Sequence, residues 1–149
     1  VRDSKEMTRS AREGALALIQ EKALAVGVGV VSHRYIDRFN ILRASLEAMR
    51  RAVLALVPPP EACLVDGIHA IPLPVAQRCI KKGDRLSQSI SAASIVAKGY
   101  RDRLMCAYHE QCPQYGFSEH KGYGTERHLA ALREHGACPI HRRTFKGVM

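Results

Sequence analysis

Residues 58–67 constrain this chain more than any other stretch. Pro58-Pro59-Pro60 stops whatever helix precedes it, because proline lacks an amide proton and its ring collides with the preceding turn. Directly after it, Ala62-Cys63-Leu64-Val65 reads as a short buried-type strand that closes on Asp66-Gly67. A helical stretch, a proline stop and a buried strand in succession predict a layered α/β fold.

The rest of the chain carries the same alternation. The spacing predicts a helix over 10–25, with Ser10-x-x-Glu13 as a capping box and Ala11, Ala15, Leu18, Ile19 and Lys22 at helical intervals. Val26–Val31 is β-branched and short, as strands are. Ser32 suits the cap of a short helical turn, and Asn40 that of a longer helix to Leu56 with an apolar stripe of Ile41, Ala44, Ala48, Met49, Ala52 and Leu56. A weaker strand is predicted from Val75 to Ile80, and a long helix from Ser87 to about Cys112. A glycine- and tyrosine-rich loop follows over 113–124, then a last helix from a Thr125 cap to His135, with Gly136 just past its end. No repeat or linker divides the sequence, so residues 1–149 are expected to form one domain.

Composition narrows the function classes. The formal net charge of +9 suits a polyanionic partner, and the basic residues are spread along the chain rather than gathered in a tail. No apolar run approaches the roughly 20 residues of a bilayer span, so a membrane role is not expected. The five cysteines are odd in number and lack a C-x-x-C pair, which favours a reducing cytoplasm over a disulfide framework. Cys106-x-x-His109-x-x-Cys112 and Cys138-x-x-His141 hold zinc-ligand residue types. Cys106 and Cys112 nevertheless fall on different faces of a helix, which favours incidental helix residues over a zinc site.

Two carboxylates stand out. Asp66 sits at the carboxyl end of a predicted strand, where α/β sheets gather their sites and where a carboxylate is placed to hold a divalent cation. Read more plainly, Asp-Gly is a turn pair. Asp102 shares a helical stripe with Ser94, Lys98 and Met105, as at the rim of a cleft, or is an exposed residue between Arg101 and Arg103. Lying 36 positions apart, the two aspartates belong to separate elements and suit shared metal ligation in phosphodiester hydrolysis. Tyr115 to Thr125 mixes rings, cations and glycines, either to approach a nucleic acid closely or simply to fill gaps. His141-Arg142-Arg143 and the Lys81, Lys82, Arg85 knot suit phosphate contact or a solvated surface equally.

In order along the chain, Asp3-Ser4-Lys5, Ile36-Asp37 with Asn40-Ile41-Leu42, Leu64-Val65-Asp66-Gly67, Lys82-Gly83-Asp84, Ala92 to Lys98, Arg101 to Met105, Tyr115-Gly116-Phe117, His120 to Thr125 and His141-Arg142-Arg143 resemble bacterial ribonuclease HII. The resemblance runs from Asp3 to Phe145. It implies an RNase H-like fold, a mixed sheet flanked by helices, acting as a monomer on RNA–DNA hybrids and on ribonucleotides embedded in duplex DNA. It implies Mn²⁺ or Mg²⁺ held by four acidic residues, of which Asp66 and Asp102 match two. Tyr123 resembles the tyrosine that packs on the sugar at the RNA–DNA junction. Ser4 and Lys5 resemble residues beside the substrate backbone, and Lys121, His141 and Arg142 are expected to bind substrate through its phosphates.

The other two acidic residues of the family lie in a G-x-D-E-A-G-R-G motif that is not in this sequence. The resemblance therefore places the first two strands, and that acidic pair, outside this chain. A chain of this length is expected to fold poorly alone, because strands left without neighbours bury unpaired backbone groups. A catalytically dead fragment that only binds nucleic acid is the alternative expectation. Ribonuclease HIII and a basic ribosome-associated protein fit the motifs less well.

Overall fold

The computed structural model describes residues 7–148, so the expectations for Ser4 and Lys5 lie outside the described residues. The chain resolves into two compact units. One comprises the residues up to Val31 together with Ile41–Gly99, and the other Ser32–Asn40 together with the chain from Tyr100 onward. Both are discontinuous in sequence.

The first unit holds helix α1 (Arg9–Lys22), α3 (Ile41–Leu54), strands β1 (Ala62–Asp66) and β2 (Ala76–Ile80), the short α4 (Gly83–Leu86) and the first half of α5 (Gln88–Gln111). Helix α1 spans Arg9–Lys22 rather than 10–25, and its cap lies two residues before the capping-box reading. Thr8, not Ser10, is the N-cap, its hydroxyl accepting from the Ala11 amide at 3.2 Å. Helix α3 is braced by Glu47, whose carboxylate takes Arg50 Nε at 2.7 Å and Arg51 Nε at 2.7 Å. Arg51 also donates to the Val30 carbonyl at 2.8 Å, tying the helix to the chain before it.

That preceding segment, Val26–Val31, is not a strand here. Exposure does alternate along it, with Val26, Val28 and Val30 outward at 45%, 38% and 45%, as the period-2 pattern demands. What it lacks among the described residues is a hydrogen-bonded ladder partner. Instead Gly27 and Gly29 press on α3. A β-carbon on Gly29 would stand 1.8 Å from the Ala48 carbonyl oxygen, and one on Gly27 2.1 Å from that of Ala52. Only glycine permits so close an approach.

Strands β1 and β2 pair in parallel, with Ala62 opposite Ala76 and Asp66 opposite Ile80. Parallel neighbours usually need a connection of about a dozen residues or more. Here residues 67–75 suffice because Gln77 staples the turn. Its amide oxygen accepts from the Ile71 amide at 2.8 Å, and its nitrogen donates to the carbonyls of Ile71 at 2.9 Å and Leu73 at 3.0 Å. Val65, Ile71, Ile90 and Ile95 are buried in this unit.

The second unit holds α2 (His33–Phe39), the last half of α5, α6 (Phe117–His120) and α7 (Glu126–His135). Its core is Met105, Tyr115, Phe117, Ala131 and Leu132. Ser32 caps α2 and Thr125 caps α7 as the sequence implies. Residues 113–124, expected as open loop, contain a 3-10 turn at Pro113–Tyr115 and then α6, bracketed by Gly116 and Lys121 in the left-handed region. Burial of Tyr115 and Phe117, both 2% exposed, holds these short pieces in place.

Candidate functional site

Asp66 ends β1 with an exposed side chain, at the carboxyl edge of the parallel pair. The Gly67 amide continues the ladder one step further, donating to the Ile80 carbonyl at 3.0 Å. Immediately beyond β2, Lys82 adopts a left-handed conformation, and the chain turns so that the Gly83 amide donates to Asp66 Oδ1 at 2.8 Å. One carboxylate oxygen is thus fixed by backbone. Space for this is tight: a β-carbon on Gly83 would lie 2.5 Å from Ile90 Cδ1 and 3.4 Å from Asp66 Oδ1. Gly83 belongs to the Lys82-Gly83-Asp84 motif, yet its role behind Asp66 was not read from the sequence. The glycine of that motif, three residues past the second strand, is the sequence signal for it.

Asp102 lies on the last half of α5 and is half-buried. The two aspartates belong to different units. Carboxylate oxygens are the donors that hard divalent cations prefer, and a backbone-fixed Asp66 fits that use. Among the described residues, no group of three or more His, Cys, Asp or Glu side chains is arranged to hold a metal ion.

Tyr123 is 63% exposed, at the tip of the turn that joins α6 to α7. That turn is pinned at several points. Arg101 Nη2 donates to the Lys121 carbonyl at 3.0 Å, and the Tyr123 carbonyl accepts from the Thr125 amide at 2.8 Å. The Lys121 ammonium is folded inward, donating to the Ser118 carbonyl at 2.7 Å and to Cys106 Sγ at 3.1 Å. Glu119 and Arg127 pair across the outer side of the turn.

His141 is only 8% exposed. Its Nδ1 accepts from the Cys138 amide at 3.0 Å, and its Nε2 lies 3.0 Å from His128 Nε2, so its ring is engaged inside the protein on both sides. Arg142 is half-buried, with its guanidinium over the Phe145 ring at 4.8 Å. Arg143 is exposed. The chain through these residues is held by Asp37 on α2. Its carboxylate accepts from the Arg143 amide at 3.0 Å, the Thr144 amide at 3.0 Å and the Thr144 hydroxyl at 2.6 Å. The Thr144 hydroxyl, then the Thr144 amide, hold the Asp37 carboxyl down at about 2. Asp37 stood in a recognised motif, but a contact across 107 positions is invisible to local pattern.

No helix among the described residues is long and apolar enough to cross a membrane. A family model described as ribonuclease HII matches residues 1–148. The chain is 58% identical to a ribonuclease HII of Geobacter sulfurreducens over 99% of its own length and 68% of that protein's. It is 57% identical to that of Geobacter metallireducens, covering 70% of it. Its fold is similar to the crystal structure of ribonuclease H2 from Pyrococcus horikoshii, with a TM-score of 0.78 at 23% identity, over 98% of this chain and 77% of that one. The RNase H-like α/β fold expected from the sequence stands, and the chain belongs to the ribonuclease HII family.

Proposed function

We propose that this chain forms the greater part of an endonuclease that hydrolyses the RNA strand of RNA–DNA hybrids and nicks 5′ to ribonucleotides embedded in duplex DNA, leaving 5′-phosphates. The observation that carries this reading is Asp66: a carboxylate at the carboxyl end of a parallel strand, one oxygen held by the Gly83 amide. Asp66 and Asp102 are assigned as ligands of Mg²⁺ or Mn²⁺ on their family motifs. A divalent ion held by such carboxylates would supply water activation and charge stabilisation at the leaving oxygen.

The chain's own residues do the rest. Gly83 fixes the Asp66 carboxylate, so that less orientational freedom is lost when it ligates. Tyr123 offers an exposed ring on a braced turn, suited to stacking on a sugar or base at the junction. Arg142 and Arg143, presented by the Asp37 clamp, suit phosphate contact, while Lys121 and His141 support the turn from within rather than reaching outward. The net charge of +9 favours a polyanionic substrate. Free cysteines at all five positions accord with work in a reducing cytoplasm.

The test is cleavage of three labelled duplexes: all-DNA, RNA–DNA hybrid, and DNA with one ribonucleotide. The protein is this chain, alone and joined to the N-terminal third of the Geobacter sulfurreducens relative. Cutting of the joined protein 5′ to the ribonucleotide, abolished by EDTA and restored by Mn²⁺, is expected. Binding of all three duplexes without cleavage by the joined protein would replace the hydrolase with a nucleic-acid-binding remnant.

A further inference from the structure

Behind the Tyr123 turn lie three imidazoles whose proton positions are dictated by backbone groups. An amide always donates and a carbonyl always accepts, so each fixes the ring nitrogen it meets. The Cys138 amide donates to His141 Nδ1 at 3.0 Å, so a neutral His141 carries its proton on Nε2. That nitrogen faces His128 Nε2 at 3.0 Å, which must accept. His128 therefore carries its proton on Nδ1 and donates it to the Tyr123 carbonyl at 2.9 Å.

His120 completes the set from the other side. The Gly122 amide donates to its Nδ1 at 3.2 Å, which leaves its Nε2 proton for the Tyr115 carbonyl at 2.5 Å. The His120 and His128 rings stack at 4.4 Å. The Gly122–Tyr123 pair is thereby gripped at an amide by one imidazole and at a carbonyl by another.

We propose that His128, with its tautomer set by His141 and its ring stacked on His120, is a positioning residue for Tyr123, and that it holds the ribose-reading turn firmly only while His128 and His141 are neutral. A proton added to His128 goes to its Nε2 and sets N–H against N–H at the pair with His141, while one added to His141 goes to its Nδ1 and sets N–H against the Cys138 amide. Either change disrupts the His128–His141–Cys138 chain that seats the His128 ring beneath the Tyr123 carbonyl. The groups facing His128 are His120 and His141. Those facing His141 are Cys138, Tyr115 and His33, with Cys112 beside Cys138. None of these is a carboxylate that would favour the charged ring. Burial, first among the causes, pushes both His128 and His141 below the ordinary histidine value, in keeping with neutral rings at neutral pH.

This inference rests on the reading of Tyr123 as the residue that meets the ribonucleotide. Its test has two parts. Imidazole nitrogen shifts of the full chain at about pH 7.5 report the tautomers directly: Nδ1-protonated His128 and Nε2-protonated His141 and His120 are expected, with the Tyr123 ring signals moving as the imidazoles titrate. Fluorescence anisotropy then measures preference for a duplex with one ribonucleotide over the all-DNA duplex, from about pH 7.5 down to about pH 5.5.

In the wild type the preference should fall about three- to tenfold on acidification, the worth of one positioning hydrogen bond. His128→Asn keeps a donor where Nδ1 stood but cannot take up a proton. It should retain the preference at the higher pH and show a shallower fall. His128→Leu, which lacks the donor, should lose preference across the range. Other tautomers, Tyr123 signals indifferent to the titration, or a His128→Asn profile superimposable on wild type would each overturn the proposal. If wild type shows no ribonucleotide preference at any pH, the reading of Tyr123 fails, and the relay is then decided by the nitrogen shifts and the Tyr123 signals alone.

Discussion

Substituting Gly29 with alanine tests how the 26–31 segment is held against α3. A β-carbon there would lie 1.8 Å from the Ala48 carbonyl oxygen, 2.8 Å from the Ala48 carbonyl carbon and 2.8 Å from the Ala52 amide nitrogen, whereas such contacts do not persist below 3.0 Å. All three atoms are helix backbone, so no side chain can swing away. Segment and helix must separate by at least about 1.2 Å, stretching the Arg51–Val30 bond that starts at 2.8 Å. Overpacking of this kind costs about 1–3 kcal/mol, and rigid backbone on both sides places Gly29→Ala at the upper end. For a chain of this size about 2–4 °C of melting temperature accompanies each kcal/mol, so a fall of roughly 5–10 °C is expected.

Two further glycines serve as controls in the same thermal melts followed by circular dichroism. Gly14, inside α1, has nothing within 4 Å of its would-be β-carbon, and Gly99, inside α5, meets only Leu16 Cδ2 at 3.4 Å. Alanine at either site should stabilise by about 0.5–1 kcal/mol through helix propensity. A Gly29→Ala protein melting within a degree of wild type, or no lower than Gly14→Ala, would refute the close-approach reasoning.

Thr144→Val removes the largest contribution to the depressed Asp37 carboxyl, so its value should climb from about 2 toward 3.8 in a carboxylate-detected NMR titration. Thr125→Ala deletes the hydroxyl that caps the His128 amide at 3.3 Å and should cost about 1 kcal/mol in urea unfolding, without changing the slope. Stability should also fall in mild acid. His128 and His141 titrate below the ordinary 6.5 when folded, so below that pH the unfolded chain binds more protons and is stabilised relative to the native state. Their contribution is fully present above about pH 6.5 and is lost as pH drops toward the folded values. Urea midpoints that stay flat across this window in wild type would contradict it.

Local pattern reached the helices because their signals are local. Thr125 and Gly136 bracket α7, the 41–56 stripe gives α3, and the proline run and Ala62–Asp66 give the first strand. It failed where partners decide. Val26–Val31 has strand residues and strand-like alternation but no ladder among the described residues, since pairing is a property of two segments. Residues 113–120 looked like loop because two left-handed positions and short turns carry no period, yet burial of Tyr115 and Phe117 orders them. In the site, Asp66 was found from its place at a strand end. Gly83 behind it and His128 behind Tyr123 were not, because each acts through a contact the chain makes only when folded. His141 was read with the arginines that follow it as a basic cluster, and the Cys138 amide and His128 turn its ring inward.

The central claim is that Asp66 holds a catalytic metal. Its most direct measurement is single-turnover cleavage of a duplex with one ribonucleotide in Mn²⁺ by the joined protein, comparing Asp66 with Asp66→Asn. Asparagine keeps an acceptor for the Gly83 amide at 2.8 Å but removes the charge a divalent cation needs. Loss of a direct ligand should exceed the roughly 10–100-fold cost of losing a supporting one, so a drop beyond about a hundredfold, with the melting temperature unchanged, is the predicted result. Cleavage by Asp66→Asn at a rate close to that of the unsubstituted protein would contradict it.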